Sequence, residues 1–256
     1  MRICTFCDRR ANTLEDAWPK WLLSSIGQDS TSPSQYWNSD QKPPKTWPGP
    51  QFPIKCVCKD CNEGWMSRLE TAVRPTLGSL LNDISLMLDS KSQCLLAAWA
   101  CKTAMVFEGV KQAKDKFYSK EDRHMLREQQ VPPRDTLIWL GRFSHSYLLH
   151  SEGRKLVPRK TIHGAPVEDG CATTFVIKRL AIQVLSIKRK PEAHGRDIKI
   201  DARGGPWNDK LIQVWPIGNS TVSWPPQQSF AEHDDSLEQF IRRFAVGVRF
   251  DAPVLS

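Results

Sequence analysis

The sequence predicts an α+β protein in two parts: a small cysteine-bearing module over residues 1–85, and a larger part over 86–256 in which helices precede a mostly antiparallel sheet and a closing helix. Three observations predict it. Five of the eight cysteines fall in the first quarter of the chain. Apolar residues from Leu95 to Val110 recur near helical spacing, and from Thr136 to Trp215 short apolar runs alternate with Gly, Pro and Asp turns. The chain's 256 residues suffice to bury a core, and 40% hydrophobic with 25% charged residues excludes collagen, coiled coil and bulk disorder. Lys102 interrupts the longest apolar stretch, so no run approaches the roughly 18 residues of a membrane-spanning helix. Residues 1–25 lack the apolar core of a signal peptide. The expectation is a cytoplasmic protein with reduced thiols and no membrane partner.

The first element is a pair of short cysteine turns, Cys4-Thr-Phe-Cys7 and Cys58-Lys-Asp-Cys61. Under reducing conditions two such pairs point to one tetrahedral zinc site, because each turn offers two thiolates to an ion that prefers sulfur. Cys56 is a spare that can replace Cys58 as third ligand. Between the turns, residues 13–23 are apolar and ordered in character, whereas residues 27–53, with six prolines among many polar residues, read as a long inserted loop. After Cys61, the spacing of Leu69, Val73, Leu77 and Leu81 predicts a helix with Asn62 as N-cap, bent or broken at Pro75.

The order Cys4-x-x-Cys7, Glu15-Asp16-Ala17-Trp18-Pro19-Lys20-Trp21-Leu22 and Cys58-x-x-Cys61-Asn62-x-Gly64-Trp65 resembles the zinc-knuckle branch of the HNH, or ββα-metal, endonucleases. The resemblance covers residues 1–75. It implies a β-hairpin followed by a helix, with the four cysteines as a structural zinc site and a catalytic Mg²⁺ or Mn²⁺ between hairpin and helix. It further implies that Glu15 stands where the family has a metal-binding carboxylate, Asp16 where it has the general-base histidine, and Asn62 where it has the helix-borne ligand. The departure at Asp16 matters, since no histidine precedes His124. An unperturbed aspartate is a weaker base at neutral pH than imidazole, so slowed or abolished cleavage follows unless burial or a metal-bound hydroxide compensates. Read without the resemblance, Glu15 and Asp16 are solvated turn residues, or Thr13 and Asp16 form a capping box.

Beyond residue 85 the spacing predicts a helix over 92–112, with Cys94 and Cys101 as core residues, and a polar helix over 119–129 capped by Ser119 and Asp122. Strands are predicted at 136–143, 146–150, 171–177, 180–187, 197–200 and 211–215, followed by a helix over 236–246. The six histidines fall in no ligand spacing, and Trp207, Trp215 and Trp224 read as a packing cluster.

The net charge of +8 concentrates in residues 151–203, where 12 basic face 6 acidic side chains. Lys178, Arg179, Lys188, Arg189 and Lys190 form the expected phosphate-contacting face, with a solvated sheet edge as the alternative. Three function classes follow. They are a metal-dependent nucleic-acid hydrolase with a degenerate site, an inactive zinc-stabilised nucleic-acid binder on the same scaffold, and an interaction protein whose larger part binds a protein or small molecule.

Overall fold

The computed structural model describes residues 2–25, 34–38, 41–48, 51–111, 116–156, 167–189, 199–201, 209–231, 235–242 and 249–251. The first strand, β1 (Thr13–Asp16), is separated by some 36 residues from its antiparallel partner β4 (Pro53–Val57), with Thr13 opposite Val57 and Asp16 opposite Pro53. Thr13 and Asp16 therefore belong to a strand and not to a helix cap.

Between these strands lie helix α1 (Lys20–Ser25) and the antiparallel pair β2 (Ser34–Asn38) and β3 (Gln41–Trp47). The expected loop 27–53 thus contains two strands. Single-sequence pattern misses them because Pro43 and Pro44 sit in β3, at the edge of the sheet, where a proline removes no required hydrogen bond.

Downstream of β4 the chain enters a wide turn of π-helix (Cys61–Met66) that becomes α2 (Ser67–Leu81). The kink falls at Gly64 (φ −91°, ψ −109°), not at Pro75, which sits inside a continuous α2. Leu69, Val73, Leu77, Leu80 and Leu81 are buried along one face of that helix, and this packing holds it together across the hydrogen bond that proline lacks. Next come β5 (Leu86–Asp89) and α3 (Ser90–Phe107), which Asp89 caps by accepting from the Ser92 N–H at 2.7 Å. A 3₁₀ turn (Glu108–Val110) ends it, and Gly109 there lies so close to Ile54 and Cys56 that a Cβ would collide with both. The predicted capping box starts α4 (Lys120–Gln129): Asp122 accepts from the Ser119 N–H at 2.9 Å, and Ser119 accepts from the Asp122 N–H at 3.2 Å.

Two long strands, β6 (Thr136–Leu156) and β7 (Val167–Arg189), pair antiparallel along their lengths. Each joins two strands expected as separate, because register shifts between Arg142 and Leu149 bend the ladder without ending it. They form the centre of a five-stranded sheet ordered β3-β2-β6-β7, with β9 (Leu211–Trp215) also on β6. β8 (Lys199–Asp201) pairs with β11 (Arg249–Asp251), β10 (Thr221–Trp224) pairs with β5, and α5 (Asp235–Arg242) follows β10 in the chain. The architecture is α+β with antiparallel pairing dominant, as expected.

One core runs through both parts of the chain. Trp18 packs edge-on against Phe107 and Phe175 at ring separations of 5.5 and 5.4 Å, and α2 lies against α3. Parallel pairing of β2 with β6 joins the insert to the large sheet. Trp65 is buried against Phe6, while Trp21 is half-buried beneath the Arg74 guanidinium. Trp224 is buried, Trp215 packs against the core from a more open position, and Trp207 lies outside the described residues. Cys101 is fully buried and Cys94 partly so. Among the described residues no helix is long and apolar enough to cross a membrane.

Candidate metal centre

The N-terminal cysteine turn is closed by its own backbone. The Cys4 N–H donates to the Arg9 carbonyl at 2.8 Å, and Ile3 and Arg10 form an isolated bridge. That turn is tied to the second through the Thr5 N–H to the Cys56 carbonyl at 2.8 Å, the Lys59 N–H to Asn12 Oδ1 at 3.0 Å, and an Arg9–Asp60 ion pair. Cys58 follows the last residue of β4 and Cys61 begins the helical turn, its neighbour Asn62 donating back to the Cys58 carbonyl at 3.0 Å.

The result brings Cys4, Cys7, Cys58 and Cys61 together, all buried, with sulfurs within 4.8 Å of one another. Cys7 Sγ lies 3.5 Å from Cys58 Sγ and 3.7 Å from Cys61 Sγ. Four thiolates at a metal–sulfur bond of about 2.3 Å define a tetrahedron with edges of about 3.8 Å, so the cluster has the dimensions to hold one metal ion and is compatible with structural zinc. A hydrogen bond with Cys61 pulls the Cys4 thiol down to about 5, while that same contact and burial raise Cys61.

Cys56 is not a ligand. It lies within β4, one residue before the strand ends at Val57, with its sulfur against Gly109 in the core, and burial pushes its thiol up to about 12. Among the described residues no other group of three or more His, Cys, Asp and Glu side chains is close enough to share an ion. His124 and His150 lie beside Asp8 and Glu152, and His163, His194 and His233 fall outside the described residues.

β1, β4 and the following helix form a ββα arrangement with this cluster at its base. Within it, Glu15 is buried, its Oε1 accepting from Lys102 Nζ at 3.2 Å; the same ammonium donates to Glu70 Oε1 at 2.6 Å. Lys102 is completely buried on α3. Burial opposes its charge, but Glu70 and Glu15 together outweigh burial and hold the ammonium above its ordinary value. Two carboxylates share one cation here, and burial raises the carboxyl of Glu15, the more deeply placed of the two. Glu15 therefore has an ammonium as its counter-ion.

Asp16 is raised by burial against the pull of Lys20, and its buried Oδ1 has no hydrogen-bond partner among the described residues. Asn62 does not cap the helix. Its side-chain amide donates to the Leu14 carbonyl at 3.2 Å and lies 3.4 Å from Thr13 Oγ1, clamping the helix start to β1.

Of the expected basic face, Arg189 is ion-paired with Asp135, Arg179 lies 3.6 Å from Asp83, Lys178 lies 3.4 Å from Asn82 Oδ1, and Lys188 sits 4.9 Å from the Phe117 ring centre. Lys190 lies outside the described residues. The two pairs stand ten residues apart on β7, about 30 Å along the strand. Sequence reading missed Glu70 and Lys102 as partners of Glu15. The available signal was Lys102 itself, a charge in the most apolar helix, which demands a counter-charge.

Comparison with known protein families, with curated proteins and with solved structures returned no match.

Proposed function

We propose that this chain is a zinc-stabilised nucleic-acid-binding protein on an HNH-like ββα scaffold, in which metal-dependent phosphodiester cleavage at Glu15 has been displaced by an internal lysine. The observation that carries the reading is the Glu15–Lys102–Glu70 triad. A catalytic Mg²⁺ or Mn²⁺ needs free carboxylate oxygens. At Glu15 a divalent ion must displace an ammonium that has no route to water, since Lys102 is fully buried. Zinc is the ion that four buried cysteines with these separations suit best, and its role there is structural because all four positions are protein sulfur. The net charge of +8 supports a polyanionic partner.

Asp16 favours a second reading, an active hydrolase. A half-buried carboxylate with a raised pKa and a free oxygen is a better base than an exposed one. In that reading Glu15, Asp16 and Asn62 hold the ion, which supplies charge stabilisation at the scissile phosphate.

Cleavage of plasmid and RNA in Mg²⁺ or Mn²⁺ by wild type, Asp16→Ala and Asp16→His separates the two readings. The proposal expects strand binding that weakens steeply with salt and no cleavage by wild type. Cleavage lost in Asp16→Ala establishes the hydrolase, and absence of strand binding at low salt removes both.

A further inference from the structure

A cavity of about 560 Å³ opens between the first cysteine turn and the segment joining α3 to α4. Among the described residues six cations line it: Arg2, Lys55, Lys111, Lys116, Lys120 and Arg123. They come from four separate stretches of chain that carry little net charge in sequence, since residues 1–80 and 81–150 each hold 10 basic and 8 acidic side chains.

Acidic neighbours account for only part of this charge. Lys120 pairs with Asp8 at 2.6 Å, while Lys111 and Arg123 share the buried Glu108 at 3.7 and 3.6 Å. Arg2, Lys55 and Lys116 form no ion pair with an acidic side chain among the described residues, though Glu108 lies near enough to Lys116 to favour its charge. Arg123 is mostly buried, and its Nε has no hydrogen-bond partner among them. Burial, with Arg123 and Arg2 near by, disfavours the charge on Lys116. Arg2, Lys55 and Lys120 face solvent, so the uncompensated charge weighs most on the less exposed Lys116 and Arg123, which an anion in the cavity would complete.

The cysteine cluster forms one wall, through Cys4 and Cys7, and does not supply the whole deficit. A divalent ion held by four thiolates carries about two negative charges. Set against six lining cations, Asp8 and Glu108, it leaves a formal excess of about two positive charges. The volume lies in the range of small-ligand sites.

We propose that this cavity binds a dianionic phosphate group, held by Arg2, Lys55, Lys116 and Arg123. The group's source is either the terminal phosphate of a nucleic-acid strand or a free phosphate compound. Both present the same oxygens to Arg and Lys donors.

Titration calorimetry of the metal-loaded full chain with inorganic pyrophosphate tests the site. Wild type binds, and Lys116→Gln weakens binding by about tenfold or more, as does Arg2→Gln, while metal content and thermal stability stay the same. Lys91→Gln, far from the cavity on the exposed start of α3, leaves the affinity unchanged. No pyrophosphate binding, or equal binding by wild type, Lys116→Gln and Arg2→Gln, overturns the proposal. The source is resolved with one oligonucleotide carrying either a 5′-phosphate or a 5′-hydroxyl. A Lys116-dependent preference for the phosphorylated form supports the site with strand ends as its source. Pyrophosphate binding lost in Lys116→Gln, in a protein that binds no strand, supports the site with a free phosphate compound and removes the nucleic-acid reading. Strand binding indifferent to the terminal phosphate, with pyrophosphate unbound, overturns the site and leaves that reading standing.

Discussion

The two polar centres of the ββα unit solve the same electrostatic problem in opposite ways. At its base four sulfur side chains converge within ligand distance of one ion, and the cations along the neighbouring cavity stand outside that cluster, so the ion that completes it comes from outside the chain. Between β1 and α3, carboxylates also converge, but the protein provides the cation itself, Lys102, from the interior of a helix. A cluster of metal-ligating residue types is thus a metal site only where no internal cation already occupies it. That distinction lies in the partner and not in the ligands.

The largest expected effect comes from taking away the external cation. Structural zinc in small modules is worth on the order of 10–16 kcal/mol of apparent binding free energy at neutral pH, so chelation or Cys61→Ser should unfold the N-terminal unit. Elemental analysis and circular dichroism read this out, with Cys56→Ala as the contrast that keeps one ion per chain. Full metal content in Cys61→Ser would show that the cluster is not the site.

Removing the internal cation is the next largest perturbation. Lys102→Met leaves two carboxylates without their counter-charge and should cost about 3–5 kcal/mol in denaturant unfolding. The double variant with Glu15→Gln should recover much of that loss, since it removes one of the stranded charges. If the two effects simply add, the triad is not a coupled unit and the comparison fails.

The smallest effect sharpens the comparison through pH. Burial raises both Glu15 and Asp16 above their ordinary values of 4.5 and 3.8, so the folded chain holds protons that the unfolded chain releases. Their contribution to stability is therefore fully present below those ordinary values and is lost as pH rises through the raised folded values. Glu15→Gln should flatten the decline that sets in above about pH 4.5 in thermal-melt series. A wild-type curve that rises over the same window would reverse the sign assigned to burial.

Much of the local structure was legible along the chain. The capping box at Ser119 and Asp122, the helix after Cys61, the buried α3 and strand β9 all follow from short-range signals that read the same in isolation as in the fold. The cysteine set was legible too, because two pairs at fixed spacing state their ligands, and only the choice of Cys58 over Cys56 needed the structure: Cys56 lies within β4 with its sulfur against Gly109, whereas Cys58 follows the strand's last residue, Val57, where the chain turns toward the helix.

What the amino-acid sequence determined by itself was therefore the class of the fold, its α-helical punctuation and the four sulfurs at its base, all of which depend on neighbours within a few turns of chain. Tertiary structure alone decided three things. It carried α2 through Pro75, where packing outweighs one lost hydrogen bond. It set Lys102 between Glu15 and Glu70, residues 87 and 32 positions away. It gathered six cations from residues 2 to 123 around one cavity, though no stretch contributing them is strongly basic. Each is a matter of charge or packing between distant residues, and Coulomb attraction depends on separation in space, which a linear sequence does not contain.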